Sequence, residues 1–560
     1  MKRVEHEDIG QESSDMAWKK SVNGYGIRSM IFCGISGIFC TIFCIPVSTA
    51  TEPEDPAYRE AIERDWERQE HHRDRVISDR ESIDDALERG RNLYADLSEK
   101  APDNETISRL GVRLESLAGE VESLAGDDFR ATELYRKIRW TNREMALENP
   151  LVRGKRVIFL KRDRFACQMM HEYLGYYYEL MNPDGGDLCV LDSPGHSPSF
   201  RSLIGDQLPP GVYQTLSLSY DGKTAFFAYV ETPSDPDRPG IGWLQLGQHD
   251  FQKDTLRKLE SDKGKFQIFS ISTDGGDLKR ITHGKHDNFD PVPLPDGGIA
   301  FLSTGRGGFV RCNNPWEPLP VYTLHRMNAD GSGVTILSYH ETNEWHPSVL
   351  NDGRIAYCRW DYMDRSAAHY HGIWTSRPDG THPSILFGNY TQQISAFYQP
   401  RAIPGSRKIL FVAGAHHADT GGSLAMIDPQ KVRYDPHSGL DDLRAVERIT
   451  PEVPFPETPD QKIQTYYHSP WPLSEDYYFT SYSHEPLGCF LAGSNDVGRT
   501  GLYYRDRFGN LELLYEDPRI ACQYPIPLES RPVPPVIAAQ SDEELSAESV
   551  GEFMLTDIRR

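Results

Sequence analysis

A hairpin unit recurs along residues 216–483 of this chain. The unit has an apolar stretch, a tight turn rich in Pro, Asp, Asn and Gly, and a second strand-like run; its five copies are LSLSYDGKTAFFAYVE (216–231), PVPLPDGGIAFLSTG (291–305), PSVLNDGRIAYCRW (347–360), PRAIPGSRKILFVAG (400–414) and SPWPLSEDYYFTSYS (469–483). A second kind of hairpin lies between them, in IFSISTDGGDLKRIT, YTLHRMNADGSGVTIL, GIWTSRPDGTHPSILF and GLYYRDRFGNLELLY. Tight turns of this kind join antiparallel strands. The alternation predicts four-stranded antiparallel units, repeated at intervals of roughly 40 to 75 residues.

Repeated four-stranded units are typical of the blades of a β-propeller. We name the strands of a blade A to D, from the axis outward. The sixth A–B hairpin is split, because RVIFLKR (156–162) supplies only a B strand and YPIPLES (524–530) only an A strand. Pairing these two segments closes the ring and protects its sheet edges. The sequence therefore predicts a mainly β, six-bladed propeller with TolB/WD-like repeats over residues 151–537, and an acidic, flexible tail over residues 538–560.

Residues 51–150 are highly charged and have helical periodicity. Two apolar series have the spacing of helices that pack on a partner helix, namely Ile83, Leu87, Gly90, Tyr94 and Leu97, and Ile107, Leu110, Leu114, Leu117, Val121 and Leu124. We predict a small α-helical hairpin or bundle, which serves as a spacer or as a coiled-coil element through which the protein forms a homo-oligomer.

An apolar segment near the N-terminus, Met30 to Val47, is followed by Ser48-Thr49-Ala50. This pattern favours a signal peptide over residues 1–50, cleaved after Ala50, and Met16 is an alternative start. The alternative is an uncleaved membrane anchor, since 18 apolar residues just span a bilayer. Either interpretation predicts an extracytoplasmic protein, periplasmic or secreted, and in the second case anchored to the membrane.

Charge and cysteine spacing exclude several functions. The net charge of −23 argues against nucleic-acid binding, which requires a basic face. The sequence has no CxxCH, so no covalently bound haem is expected. The cysteines beyond residue 50 are predicted to be mostly buried thiols with at most one bridge; they are Cys167, Cys189, Cys312, Cys358, Cys489 and Cys522. The G-x-S-x-G, P-loop, dinucleotide and HExxH motifs are also absent from the sequence.

The propeller topology sorts the loops onto two rims. The A–B turns carry the Asp-Gly signatures and lie on one rim, where we expect turn chemistry only. The D–A and B–C loops lie on the other rim, which we call the loop rim, and they hold most of the His, Asp and Trp residues; they include HDNFDP (286–291), HETNEWHP (340–347), SAFYQP (395–400), TYYHSP (465–470), TGRGGFVRC (304–312), RWDYMD (359–364), GAHH (414–417) and SYSHEP (481–486). This crowding predicts a ligand or partner site at the mouth of the propeller.

The predicted binding residues of this mouth are His286, Asp290, Glu344, Trp345, His346, Arg359, Asp361, Tyr398 and His468. His346, His416 and His417 are candidate ligands of a divalent metal, with Glu344 or Asp361 as a general base. The alternative is structural: Asp290 and Glu344 hydrogen-bond to neighbouring blades, and Trp345 packs between them. The insertions at 161–187 and 232–265 are long enough to cover the mouth.

Longer motifs resemble a known family over roughly residues 156–535. These motifs are DPVPLPDGGIAFLSTGRGGFVRC, YTLHRMNADGSG, HETNEWHPSVLNDGRIAYCRWDYMDR, PGSRKILFVAGAHH, PWPLSEDYYFTSYS and LYYRDRFGNLELLY. They are similar to the middle domain of the hydrazine synthase alpha subunit and its bacterial, chiefly planctomycete, relatives. The resemblance implies a six-bladed propeller and export. Hydrazine synthase works with c-type haems in domains that flank its propeller, and the missing CxxCH means that this chemistry is not carried over.

Three functional hypotheses follow. The preferred one is an exported, non-catalytic propeller that needs no cofactor and binds a protein, glycan or small molecule on its loop rim. The second is a metal-dependent enzyme at the propeller mouth. The third is a haem-free structural subunit of a redox complex, whose partners carry the cofactors.

Overall fold

The computed structural model describes residues 55–124, 129–163, 169–181, 185–232, 261–312, 319–455, 463–488 and 499–540. The predicted signal or anchor segment, Cys167, Cys489 and residues 541–560 of the predicted tail lie outside this part of the chain. Within it, no helix combines the length and apolarity needed to cross a membrane.

The described part of the chain is mainly β. In chain order the strands are β1 Val157–Arg162, β2 Gly186–Leu191, β3 Phe200–Ser202, β4 Gly211–Leu218, β5 Thr224–Glu231, β6 Gln267–Ser272, β7 Lys279–Arg280, β8 Asn288–Pro293, β9 Ile299–Ser303, β10 Thr323–Met327, β11 Thr335–Ile336, β12 Glu344–Val349, β13 Ile355–Trp360, β14 His371–Ser376, β15 Ser384–Phe387, β16 Ala396–Ala402, β17 Ile409–Gly414, β18 Ser423–Ile427, β19 Val446–Arg448, β20 Tyr466–Pro472, β21 Tyr477–Ser483, β22 Gly501–Asp506, β23 Leu511–Tyr515 and β24 Ala521–Pro527.

These strands form antiparallel sets of four. The sets are β24-β1-β2-β3, β4-β5-β6-β7, β8-β9-β10-β11, β12-β13-β14-β15, β16-β17-β18-β19 and β20-β21-β22-β23. One parallel residue pair, His371 with Ala396, joins the fourth and fifth sets into a continuous sheet. The first strands of the sets contact one another in the cyclic order β4, β8, β12, β16, β20, β24 and back to β4. This is the arrangement of a β-propeller, with the sets as blades around an axis.

The ends of the propeller meet in one sheet. Strand β24 pairs antiparallel with β1, from Val157 opposite Pro527 to Arg162 opposite Ala521. This pairing joins the split hairpin predicted from RVIFLKR and YPIPLES. It covers the inner edge of β1, so that β24 is the innermost strand of this blade as in the other blades.

A bulge occurs at one equivalent position in every innermost strand. The bulge residues have left-handed backbones with φ between 48° and 59°; they are Thr215, Asp290, His346, Gln399, Ser469 and Tyr524. The strand register shifts at each of them. This conformation costs a residue other than glycine about 1–3 kcal/mol, so the surrounding structure must compensate. We call these residues the bulge ring.

Hydrogen bonds between blades stabilise the bulge ring. The backbone N–H of Asp290 donates to Thr215 Oγ1 at 3.0 Å, and that of His346 donates to Asp290 Oδ2 at 3.1 Å. On the far side of the axis, the N–H of Ser469 donates to Gln399 Oε1 at 2.7 Å. In each link, the side chain of one bulge residue accepts a hydrogen bond from the backbone N–H of the next bulge residue. The bulges therefore hold neighbouring blades together.

Helices precede the propeller, as the sequence predicts. They are α1 Pro56–His71, α2 Arg80–Lys100, α3 Glu105–Glu122 and α4 Ala131–Glu148; a short α5, Gly175–Met181, follows β1. Asp55 caps α1 and Asn104 caps α3 through their side-chain oxygens. Most of both predicted apolar series is buried within this chain. Homo-oligomerisation through these series stays a prediction.

The helices are fixed to the propeller by buried charges. The carboxylate of Glu512, in β23, lies 3.2 Å from Arg139 and 3.5 Å from Arg143, both in α4. Trp66 in α1 donates its indole N–H to the same carboxylate at 3.2 Å. All four side chains are buried. Burying two guanidinium groups next to one carboxylate is stable only while that carboxylate is present.

We predict that Glu512→Ala lowers the free energy of unfolding by about 3–5 kcal/mol, because it leaves two buried guanidinium groups without their counter-ion. Urea unfolding followed by circular dichroism measures the change. The matched control is Glu516→Ala, which removes a half-exposed partner of Arg68 at 3.0 Å and should cost less than about 1 kcal/mol. Equal effects of the two substitutions would contradict the role assigned to Glu512.

Candidate functional site

The axis of the propeller is filled on the loop rim by residues 169–181, which we call the axial segment. This segment belongs to the insertion at 161–187, and it covers the predicted mouth. Tyr173 places its hydroxyl 2.6 Å from His346 Nε2 and 3.3 Å from Thr420 Oγ1. Its ring stacks on Phe289, with centroids 5.1 Å apart. The segment is held at its edge by Gly175, whose N–H donates to the carboxylate of Asp287 at 2.9 Å.

A buried ion pair lies beside Tyr173. Arg162 in β1 donates to Glu172 Oε1 at 2.9 Å and to the hydroxyl of Tyr178 at 3.2 Å. Thr420 donates to the other carboxylate oxygen of Glu172 at 2.9 Å. Arg162 and Glu172 have no exposed surface. The axial segment is therefore bound to the first and fifth blades by charged hydrogen bonds as well as by aromatic packing.

His346 belongs to the bulge ring and is buried. Burial lowers the pKa of its imidazole well below the usual value, so the ring is neutral at pH 7. One ring nitrogen contacts Tyr173, and the other, Nδ1, has no hydrogen-bond partner among the described residues. Burial also raises the pKa of Asp290, the preceding residue in the ring, to about 7. Burial therefore disfavours the charged forms of both His346 and Asp290.

Trp345 is the centre of an aromatic cluster between blades. Its ring lies 5.8 Å from Tyr322, 5.4 Å from His371 and 6.1 Å from Tyr398. Tyr398 donates its hydroxyl hydrogen to the backbone oxygen of Ala415 at 3.0 Å. Trp345 therefore packs as the structural alternative describes.

His416 faces another histidine. Its Nδ1 lies 2.9 Å from Nε2 of His371, and burial lowers the pKa of His371 to about 3. The ring of His417 lies 4.4 Å from that of His416. His371 and Tyr173 are not among the predicted site residues, because His371 begins a strand and Tyr173 lies in the long insertion after β1 rather than in one of the quoted loop motifs. Among the residues that the structure describes, no group of three or more His, Cys, Asp or Glu side chains is arranged to hold a metal. Metal binding by His346, His416 and His417 stays a prediction.

Glu344 is bonded to the neighbouring blade. Its carboxyl oxygens accept hydrogen bonds from the N–H of Leu324 at 2.8 Å and from the Ser338 hydroxyl at 2.7 Å. Burial raises its pKa to about 7. Glu344 and Asp290 thus each make the contact between blades that the structural alternative expects.

The remaining predicted residues are dispersed. Arg359 donates to Asp361 at 3.0 Å and lies over the ring of Trp374, 3.5 Å from its centroid. His468 lies in β20 beside Ser469, and its Nε2 is 3.3 Å from the amide nitrogen of Gln399. His286 is half-buried at the outer side of its loop. The structure gives these residues no common centre.

Among the described residues of the loop rim, Phe309 and Tyr339 form an exposed aromatic patch. Phe309 and Tyr339 expose 44% and 73% of their surfaces. Arg306 donates to the backbone oxygen of Tyr339 at 3.3 Å, which joins the two loops. Arg311 pairs with Glu341 at 2.9 Å on the same two loops, and both side chains are about half exposed. We call Arg306, Phe309, Arg311 and Tyr339 the aromatic–arginine patch.

A cavity of about 1080 Å³ lies at the other rim, among the A–B turns. That rim therefore holds a cavity in addition to its turns, whereas the sequence predicted turns only. The cavity is lined by residues two positions beyond the bulges, namely Ser217, Val292, Ser348, Arg401 and Trp471, and by Arg531 of the segment after β24. Comparing the second residue after each bulge across the repeats would have identified Arg401 and Trp471 from the sequence. The other repeats have a small or aliphatic residue at this position.

We predict that Glu344→Gln removes a contribution to the free energy of unfolding that falls as pH rises from about 4.5 to about 7, so the wild type loses stability relative to this variant across that range. Folded Glu344, with its pKa raised to about 7, keeps a proton that the unfolded chain loses near its ordinary value of 4.5. This proton contributes about 1.4 kcal/mol per pH unit inside that window. Glutamine mimics the protonated acid, so the variant should also exceed the wild type in stability above pH 7.

Urea titrations at several pH values provide the measurement. Glu341→Gln is the matched control, because the side chain of Glu341 is 50% exposed. An unaltered slope in Glu344→Gln would mean that Glu344 is ionised in the folded protein across this range.

Comparisons with known proteins give similarity at the level of fold. No family model matches the chain, and no curated protein does. Among solved structures, hydrazine synthase of Kuenenia stuttgartiensis matches with 17% identity and a TM-score of 0.46, over 70% of this chain and 49% of that one. TolB of Acinetobacter baumannii matches with 11% identity and a TM-score of 0.36, over 70% and 72%. An oligogalacturonate lyase in complex with manganese matches with 14% identity and a TM-score of 0.34, over 57% and 71%.

The matched region spans about half of the hydrazine synthase chain. None of these likenesses identifies a subfamily or an activity.

Proposed function

We propose that this protein is an exported, non-catalytic six-bladed β-propeller of the hydrazine synthase alpha middle-domain type, and that it binds a protein partner through the aromatic–arginine patch. The cyclic contacts of the innermost strands support the count of six. The apolar segment Met30 to Val47 supports export. The observation that carries the function is a contrast on the loop rim: the axial segment fills the axis, whereas the aromatic–arginine patch is exposed.

The filled axis argues against catalysis at the propeller mouth. A general acid or base must reach a substrate, and it works best with a pKa near the operating pH. Glu344 and Asp290 have pKa values of about 7, but both are buried and hydrogen-bonded to neighbouring blades. Burial raises the pKa of Tyr173 well above its usual range, and neutral His346 contacts it. Within the described chain these groups are buried, and they contribute rigidity.

The aromatic–arginine patch has the composition of a protein-binding hot spot. Tyrosine and arginine are enriched at the energetic centres of interfaces, where they pair apolar area with hydrogen bonding. An exposed tyrosine and an exposed phenylalanine on two loops that contact each other leave apolar area open to water. The overall charge of −23 would repel acidic partners, and Arg306 provides local attraction for an acidic group, since Arg311 is already paired with Glu341.

A photo-crosslinking experiment tests this interface. A photoreactive phenylalanine analogue replaces Tyr339 in the full-length protein, which is expressed in the cells that produce it. We expect one specific protein crosslink at this position. The matched control places the same analogue at Val334, which is 55% exposed in the turn between β10 and β11 on the other rim. Identical crosslinks from both positions would contradict a specific surface.

The crosslinked partner then allows a quantitative prediction. The double variant Phe309→Ala, Tyr339→Ala should weaken binding of this partner by tenfold or more. A tenfold loss corresponds to about 1.4 kcal/mol of binding free energy, which is typical of a hot-spot residue. The thermal midpoint should stay near that of the wild type, because both side chains are exposed. Calorimetric titration gives the affinity, and unchanged binding would rule out the patch as the interface.

Elemental analysis after dialysis without chelator separates binding from the metal-dependent alternative. The proposal expects only substoichiometric metal. One equivalent of a divalent metal that disappears in the His346→Ala, His416→Ala double variant would favour the enzyme instead.

A further inference from the structure

The cavity among the A–B turns contains a cluster of basic residues in a strongly acidic protein. Its lining includes Lys155, Arg354, Arg401, Arg407, Lys408 and Arg531 on the basic side, against Asp352 and Glu529 on the acidic side. The remaining wall is largely apolar, with Leu350, Leu386, Pro404, Ile409, Pro472 and Val533 among its residues. This site lies on the opposite rim from the proposed partner surface and does not depend on it.

Four of the six basic side chains already have carboxylate partners. Arg354 pairs with Asp352 at 2.8 Å, and Arg407 pairs with Asp428 at 2.8 Å. Lys408 pairs with Glu475 at 2.7 Å, and Lys155 pairs with Glu529. These cations are neutralised within the chain and leave Arg401 and Arg531 as the exceptions.

Arg401 and Arg531 form no ion pair with any residue that the structure describes. Both guanidinium groups lie against the ring of Trp471, at 5.6 Å and 5.2 Å from its centroid. Arg531 is positioned by two contacts with the second blade, since its Nη2 donates to the backbone oxygen of Leu218 and its N–H donates to that of Tyr220. The Nε atoms of both arginines are buried without a hydrogen-bond partner in the described chain.

The electrostatics of this pair are unfavourable without a ligand. Burial lowers the pKa of Arg401, and it lowers the pKa of Arg531 to about 10. The charge of Arg401 contributes to the lowered pKa of Arg531, so the two cations repel each other. Asp290 and Tyr524 face Arg401 from the bulge ring, but neither carboxylate nor phenol is within ion-pair or hydrogen-bond distance. Two desolvated like charges with donors to spare attract an anion.

We propose that this cavity binds a small organic anion, whose carboxylate or phosphate group bridges Arg401 and Arg531 while its apolar body lies on the Leu, Ile and Pro wall. Guanidinium groups match the planar geometry of carboxylates and the oxygens of phosphates. A volume of about 1080 Å³ lies just above the usual range of about 300–1,000 Å³ for sites of small organic molecules, which are mostly apolar with a few placed polar groups. Arg401 lies two residues beyond Gln399 of the bulge ring, so the position of this bulge determines how far along the axis the Arg401 side chain lies.

Calorimetric titration of the full-length protein tests the proposal with four probes: benzoate, phenyl phosphate, inorganic phosphate and benzyl alcohol. We expect saturable binding of benzoate or of phenyl phosphate. The probe that binds more tightly shows whether the site prefers a carboxylate or a phosphate. Benzyl alcohol, which keeps the ring and lacks the charge, should not bind. Inorganic phosphate should bind more weakly than phenyl phosphate; equal binding would overturn the role of the apolar wall.

Substitutions locate the site. Arg401→Gln and Arg531→Gln should each weaken binding by tenfold or more, the equivalent of one charged hydrogen bond of about 1.4 kcal/mol. Arg354→Gln is the matched control, because this cavity residue is already paired with Asp352, and its affinity should stay within about twofold. The Phe309→Ala, Tyr339→Ala variant should bind the probes normally, which keeps this test independent of the partner surface.

Thermal unfolding without ligand separates loss of the site from misfolding. Arg401→Gln removes a half-buried charge that has no ion-pair partner in the described chain, so its unfolding midpoint should equal or exceed that of the wild type. The proposal is overturned if neither anion binds saturably, or if the Arg401→Gln, Arg531→Gln double variant binds with unchanged affinity.

Discussion

The hydrogen bond from the backbone of one bulge to the side chain of the preceding bulge is the contact on which this propeller depends. An A strand that bulges at one residue releases an N–H from its own ladder. In a ring of blades, this N–H faces the neighbouring A strand, and Thr215, Asp290 and Gln399 supply the acceptors. The left-handed backbone is costly at each position, but the link it creates is shared between two blades.

The bulge ring also separates the two halves of the axis. Toward the loop rim, His346 contacts Tyr173 of the axial segment, and Asp290 accepts a hydrogen bond from the backbone of His346. Two positions further along the strands, Arg401 and Trp471 enter an open cavity. The same repeat therefore builds a filled end and an open end, because the only insertion that reaches the axis in the described chain enters from the loop rim.

The helical segment extends the propeller at one blade. Its apolar series, which suggested a partner helix, find that partner within the chain, and Glu512 ties α1 and α4 to β23. Local periodicity predicted the helices correctly. It could not reveal that the helices also pack on a β-blade. A buried carboxylate that neutralises two arginines from a distant segment has no sequence signature, since Arg139 and Glu512 are 373 residues apart.

The sequence by itself determined the strand hairpins, the helices and the closing pair of β1 with β24. These features follow from short-range periodicity, turn residues and the count of repeats, which act within a few tens of residues. Tertiary structure decided the sites. His346 contacts Tyr173 across 173 residues, and Arg401 and Arg531 line the same cavity only because the segment after β24 crosses the A–B rim. These arrangements depend on the course that an insertion or a terminal segment takes over the closed ring. No local sequence pattern encodes that course.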